Sequence, residues 1–132
     1  MKLLYTTFDV MVSVSEIKNQ ILGYRVNNIY DVDNKTYLLK LASTKSDDKA
    51  ILLLESGSRL HITDFDWPKN IMPSGFSMKL RKHIRNKKIV DISQVGADRV
   101  VDIQIGYESS AYHLIVELYD RSQFPEVYYD PS

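Results

Sequence analysis

Early in the chain, apolar residues recur at helical spacing; after about residue 24 they gather into short strand-like runs. Val10, Val14, Ile17 and Ile21 fall at i, i+4, i+7 and i+11, one face of a helix over about residues 7–22. Phe8, Met11, Val12 and Leu22 make a second apolar side, and Asp9, Ser13, Glu16 and Gln20 form the polar stripe. Two apolar sides predict a helix pressed between two surfaces. Thr6 with Asp9 three residues on makes a capping-box-like start, Ser13 with Glu16 a competing one, and Gly23 a stop.

The following residues read as strands. Residues 25–32 and 36–42 flank the turn Asp33-Asn34-Lys35 and predict a hairpin. After a charged loop, residues 50–55 carry Ile-Leu-Leu-Leu and predict a buried strand, with a return over 58–63. Residues 64–75 hold two prolines, a glycine and the lone Trp67, which predicts a packed, shaped loop. A second helix is expected over about 76–86, then strands near 89–93, 99–105 and 111–119. The sum is an α+β fold: an antiparallel, β-sandwich-like sheet with two packed helices.

Composition removes several function classes. A chain of 132 residues has the length of one domain. It has no cysteine, so a disulfide framework, a thiolate zinc site and a cysteine nucleophile are excluded. His61, His83 and His113 lack metal-ligand spacing, and Asp31-Val32-Asp33-Asn34 opens like a calcium loop without its later glycine and glutamate. No Gly-x-Ser-x-Gly elbow, phosphate loop or dinucleotide fingerprint occurs. No metal, cofactor or enzymatic activity is therefore expected. The N-terminal apolar run is too short for a signal peptide, and no run approaches the ~18 apolar residues that span a bilayer. The cytosol is the default location, with no membrane partner.

Net charge is zero, but its distribution is uneven. Residues 79–88 hold six of the 17 Lys/Arg and none of the 17 Asp/Glu, a local +6 on a −6 background. At about 100° per residue, Phe76, Leu80 and Ile84 share one stripe of the second helix. Lys79, Arg81, Lys82 and Arg85 lie opposite, with Met78 among them, and Lys87 and Lys88 follow. Such a face suits phosphate-backbone contact. It also suits a solvated surface paired with acids such as Glu55, Asp64 or Asp66, or an acidic protein surface.

Asp98-Arg99 follows Gly96-Ala97 at a turn before a strand. An acid and a guanidinium there can read base edges; a turn cap with Arg99 paired to Asp102 is the simpler reading from spacing alone. Asp9 by itself reads as a first-turn acid at a helix N-terminus. Trp67 and Phe65 offer either base stacking or a core anchor. Tyr128 and Tyr129, two of nine tyrosines, receive no role.

Several strings together resemble one family. They are Thr7-Phe8-Asp9, Arg25-Val26-Asn27-Asn28-Ile29-Tyr30, Leu53-Leu54-Glu55-Ser56-Gly57, Trp67-Pro68-Lys69-Asn70, Pro73-Ser74-Gly75-Phe76-Ser77-Met78, Asp98-Arg99-Val100-Val101-Asp102 and Ala111-Tyr112-His113-Leu114. Over residues 1–121 the chain resembles the start of the N-terminal domain of the NFACT family, the nuclear export mediator factor and Caliban group. The resemblance implies a fold similar to the N-terminal β-sandwich of formamidopyrimidine-DNA glycosylases, without their N-terminal proline nucleophile. It implies a cytoplasmic factor, also nuclear, that binds the large ribosomal subunit with trapped peptidyl-tRNA and positions aminoacyl-tRNA, chiefly alanine tRNA, for mRNA-independent C-terminal tailing. It implies that Asp9, Asp98 and Arg99 engage tRNA, while the ribosome does the chemistry. The family also recruits the ubiquitin ligase listerin. Residues 122–132 depart from the family's Gly-Asn and further strand and read as a divergent tail. The chain is then a fragment, a shortened isoform or a truncated product, in which listerin binding is not expected.

Overall fold

The computed structural model describes residues 7–33, 35–55, 59–64, 72–96, 99–107, 111–118 and 127–131. The first helix, α1, spans Thr7–Ile21 and buries Val10, Val14, Ile17 and Ile21. It stops where predicted: Gly23 has φ 89, and its amide donates 2.8 Å to the carbonyl of Ile89. The second apolar side is not covered. Phe8, Met11, Val12 and Leu22 are 66, 51, 38 and 46% exposed. Periodicity correctly found two apolar stripes, but these residues place a packing partner against only one of them.

Four strands, β1 Arg25–Asp31, β2 Thr36–Ala42, β3 Lys49–Glu55 and β4 Arg59–Thr63, form an antiparallel meander in the order β1-β2-β3-β4. The expected hairpin turn is held by Asp33, whose carboxylate accepts 2.8 Å from the amide of Lys35. A second antiparallel sheet has the order β5-β6-β7-β8, with β5 Ile89–Gln94, β6 Val100–Ile105, β7 Tyr112–Glu117 and β8 Val127–Pro131. β8 lies in the stretch read from sequence only as a divergent tail; it pairs with β7, and Pro131 sits at an edge, where a missing donor is tolerated.

The two sheets and both helices share one core. Ile29, Leu39, Leu41, Leu52 and Leu54 face Ile92, Val101, Ile103, Leu114 and Val116 in a single cluster with the α1 stripe. Each such side chain contributes roughly 1.5–3 kcal/mol when fully buried. Leu38 and Leu53 are register partners on the opposite face of the first sheet and are also fully buried. That explains why β3 reads as a continuous apolar run rather than an alternating one. α1 packs chiefly across β5, with β4 and β6 beside it.

The second helix, α2, spans Gly75–Ile84 and packs on β1. Leu80 and Ile84 are buried as the phase predicted. The helix ends earlier than the expected residue 86, because Arg85 is extended and Asn86 adopts φ 70. Arg85, Lys87 and Lys88 are thus off the helix. The left-handed Asn86 turns the chain back beside β1: its amide donates 2.7 Å to Val26, and Val26 donates 2.9 Å to Lys87. Lys88 then bridges Arg25, so this connector stitches one sheet to the other.

Candidate nucleic-acid interface

α2 is held by a buried carboxylate. Asp31, 3% exposed, accepts hydrogen bonds from the Ser74 amide at 2.6 Å, the Ser74 hydroxyl at 2.9 Å and the Ser77 hydroxyl at 2.7 Å. Ser74 is the N-cap, and its hydroxyl accepts from the Ser77 amide at 3.1 Å. The carboxylate therefore meets the positive end of the helix with charge-assisted bonds. Tyr37, opposite Asp31 in register, packs against Phe76 at 5.3 Å. Burial, and then the charges of Asp31 and Asp33, push the Tyr37 phenol above its ordinary 10.0. The string set aside as a failed calcium loop is thus the anchor of α2. The Ser-x-x-Ser spacing at the helix start was the available signal, but only the fold supplies its acid.

From that anchor α2 runs antiparallel to β1 in step. Ser77 meets Asp31, Arg81 donates from Nε to the Ile29 carbonyl at 2.9 Å, and Arg85 donates from Nε to the Asn27 carbonyl at 3.2 Å. Four helical residues rise ~6 Å and two strand residues ~6.6 Å, so each further turn finds the next carbonyl of the edge strand. Arg81 also stacks on Tyr30, with its Cζ 5.2 Å from the ring centroid. This corrects the expectation of one outward face for Arg81, which is half-buried; Lys79, Lys82 and Arg85 are exposed, and Arg85 braces the β1 edge from that exposed position. Neither Lys79 nor Lys82 has an acidic partner among the described residues. Of the acids proposed to neutralise this face, Glu55 is held by Arg59 at 2.7 Å, Asp64 is exposed, and Asp66 lies outside the described residues. Lys87 lies over Tyr112 at 4.9 Å, and the Tyr112 hydroxyl bonds His83 Nδ1 at 2.9 Å.

Asp9 lies half-buried in the first turn of α1. Arg99 is half-buried just before β6, and its carbonyl accepts from the Leu118 amide at 2.8 Å. Asp98, Phe65 and Trp67 lie outside the described residues. α1 runs antiparallel to β5, fixed by the Gly23–Ile89 bond and by Lys18 Nζ, 3.2 Å from Asp91. A rise of ~1.5 Å per helical residue sets Asp9 roughly 13 Å from Lys18, and ~3.3 Å per strand residue sets Val95 roughly 13 Å beyond Asp91. The Val95 amide donates 2.9 Å to Val100, closing the turn that carries Arg99. Asp9 and Arg99 therefore share one end of the molecule. Lys88 is at the other end of β5, roughly 20 Å away. The candidate residues form two groups, not one pocket.

Two other features border these groups. A cleft of about 460 Å³ lies between α1 and β3–β4, lined by Gln20, Tyr24, Asp48, Lys49 and Asp64 among others. On the outer face of the second sheet, His113 Nδ1 is 2.9 Å from Asp102, the acid that spacing offered as one partner for Arg99. No helix among the described residues is long and apolar enough to cross a membrane.

Comparison with known proteins places this geometry. The profile of the NFACT N-terminal and middle domains matches residues 6–123. The ribosome quality control complex subunit NEMF of Homo sapiens is 55% identical over 121 residues, covering 92% of this chain and 11% of that protein. Its Drosophila melanogaster homolog is 54% identical, covering 92% and 12%. Ribosome quality control complex subunit 2 of Saccharomyces cerevisiae is 33% identical, covering 90% and 11%. The chain spans about a tenth of the length of these relatives. Among solved structures, the N-terminal part of the fibronectin/fibrinogen-binding protein of Streptococcus suis matches with a TM-score of 0.85 at 20% identity, covering 97% of this chain and 49% of that one. At that identity the likeness speaks for the fold alone. The fibrinogen binding protein of Staphylococcus aureus matches with a TM-score of 0.70 at 25% identity, covering 89% and 44%.

Proposed function

The chain belongs to the NFACT family, and on that premise we propose that it is the RNA-contacting module of a ribosome-associated quality control factor. It meets the large ribosomal subunit that holds trapped peptidyl-tRNA and helps position aminoacyl-tRNA, chiefly alanine tRNA, for C-terminal tailing. It does no covalent chemistry; the ribosome transfers the peptide. The work of the module is placement, which needs a rigid charged surface.

One observation carries this reading. Asp31, Arg81 and Arg85 lock α2 to β1, so Lys79 and Lys82 project from a fixed helix with no acid beside them among the described residues. Fixed, unneutralised cations favour a polyanion, because binding releases its counterions. Asp9 and Arg99 share the other end of β5, where the selectivity for tRNA would lie, apart from the affinity.

The test is the salt dependence of binding to a tRNA transcript. Lys79→Glu with Lys82→Glu is expected to flatten the log K against log salt slope by about 2. A slope already flat would overturn the reading, and a slope unchanged by the double variant would take the α2 face out of it. A protein partner on this face predicts instead a pulldown that survives nuclease and is lost in the same variant.

A further inference from the structure

The register of the first sheet assembles a row of cations that no stretch of sequence contains. Lys88 bridges Arg25, Arg25 pairs with Ala42, and Ala42 pairs with Lys49. Paired residues share a face, so Lys88, Arg25, Ala42 and Lys49 lie in one line across the sheet, with strands ~4.8 Å apart. Val26, Leu41 and Ala50, their chain neighbours, belong to or pack against the core, so the row lies on the outer face. Arg25, Lys49 and Lys88 are exposed.

The Arg25–Lys88 pair is the unusual one. The flanking bonds, Val26 amide to Lys87 and Ile89 amide to Tyr24, both 2.9 Å, make it a non-hydrogen-bonded antiparallel pair. That is the closer of the two kinds, with Cα atoms ~4.5 Å apart. Like charges placed directly opposite destabilise a sheet. Neither side chain, nor that of Lys49, has an acidic partner among the described residues. A neutral polar residue at either position would avoid the repulsion, and an anion between the two would relieve it.

We propose that this row is a second phosphate-backbone contact for RNA, with Arg25 and Lys88 clamping one phosphate and Lys49 contacting the strand further on. The proposal rests on the RNA-binding reading above and extends its site from helix to sheet. The ligand is a polymer rather than a small anion because the row is continuous with further cations. Arg85 Nε sits on the Asn27 carbonyl, two residues from Arg25, and Lys40 lies in the neighbouring row opposite Asn28. The strip thus passes from α2 around the β1 edge onto the sheet. Cations tracked along a path fit a phosphodiester chain, which needs charge at intervals and little geometry.

The experiment measures binding of this chain to a tRNA transcript across a salt series, together with thermal unfolding of the free chain. Arg25→Gln with Lys88→Gln is expected to flatten the salt slope by about 2 and weaken binding roughly tenfold. The same variant should raise the melting temperature of the free chain by about one to a few degrees, since a repulsion is removed. Ala42→Glu keeps every cation but sets an acid between Arg25 and Lys49; it should also weaken binding and raise the melting temperature. Lys49→Gln, at an exposed strand start, serves should either of these fold poorly. If the Lys79/Lys82 variant flattens the slope and none of the row variants does, the row is not an RNA contact while the reading above stands. If no variant alters the slope, that reading falls and this inference with it. Loss in the row variants supports the row whatever the helix variant does.

Discussion

The Ser77 hydroxyl donates a 2.7 Å hydrogen bond to the Asp31 carboxylate, joining helix to strand across 46 residues of sequence. Ser74 adds its amide and hydroxyl to the same carboxylate. Removing the acid would orphan a buried hydroxyl and the helix cap together. Asp31→Ala is therefore expected to cost about 3 kcal/mol, seen as a lower urea midpoint. Asp31→Asn keeps one acceptor and should cost less. Equal urea midpoints for wild type and Asp31→Ala would contradict the anchoring role.

Arg81 and Lys79 lie two residues apart on α2 but do different work. Arg81→Lys loses the Nε hydrogen bond to the Ile29 carbonyl and the stack on Tyr30, and should destabilise by about 1 kcal/mol. Lys79→Gln should leave the urea midpoint unchanged and weaken tRNA binding. Comparable loss of stability in both variants would mean that the two cations are not divided between brace and surface.

Asn86 turns the chain with φ 70. Asn86→Gly should be neutral or slightly stabilising, because glycine adopts this conformation freely. Asn86→Val should cost about 1–2 kcal/mol, as a β-branched residue resists it. Circular dichroism melts of the two variants check the direction: a valine variant as stable as the glycine one would refute the assignment.

Tyr37 gives the fold an alkaline weakness. Its phenol titrates above 10.0 in the folded chain, raised first by burial and then by Asp31 and Asp33. Above pH 10 the unfolded chain loses this proton while the folded chain keeps it. The stability it supports is thus fully present below pH 10 and declines from there up to the folded value. Wild type should lose more stability than Tyr37→Phe between pH 9 and 11 in urea titrations. Parallel pH profiles for the two proteins would show that the phenol is not shifted.

The local periodicities carried far into the fold. Val10, Val14, Ile17 and Ile21 gave the buried face of α1, the Asp33 turn gave the first hairpin, and Leu80 and Ile84 gave the inner side of α2. The Gly23 stop was readable because a left-handed position has few tenants. β8 was not read, because residues 127–131 are short and their pairing with β7 is not encoded nearby. The exposed side of α1 was misjudged, since an apolar stripe does not say whether anything covers it.

The candidate site divides in the same way. Sequence alone determined that cations concentrate at residues 79–88 and that the chain is free of cysteine, because charge and composition are local quantities. Only the tertiary structure decided which of those cations also brace the fold. Arg81 and Arg85 went to the carbonyls of β1, an edge strand more than 50 residues away, because an edge leaves acceptors that must be satisfied. It alone set Arg25 against Lys88 and put Asp9 at the same end as Arg99. Strand register and helix direction make those neighbours, and both are fixed by burying the common core rather than by any residue's chain neighbours.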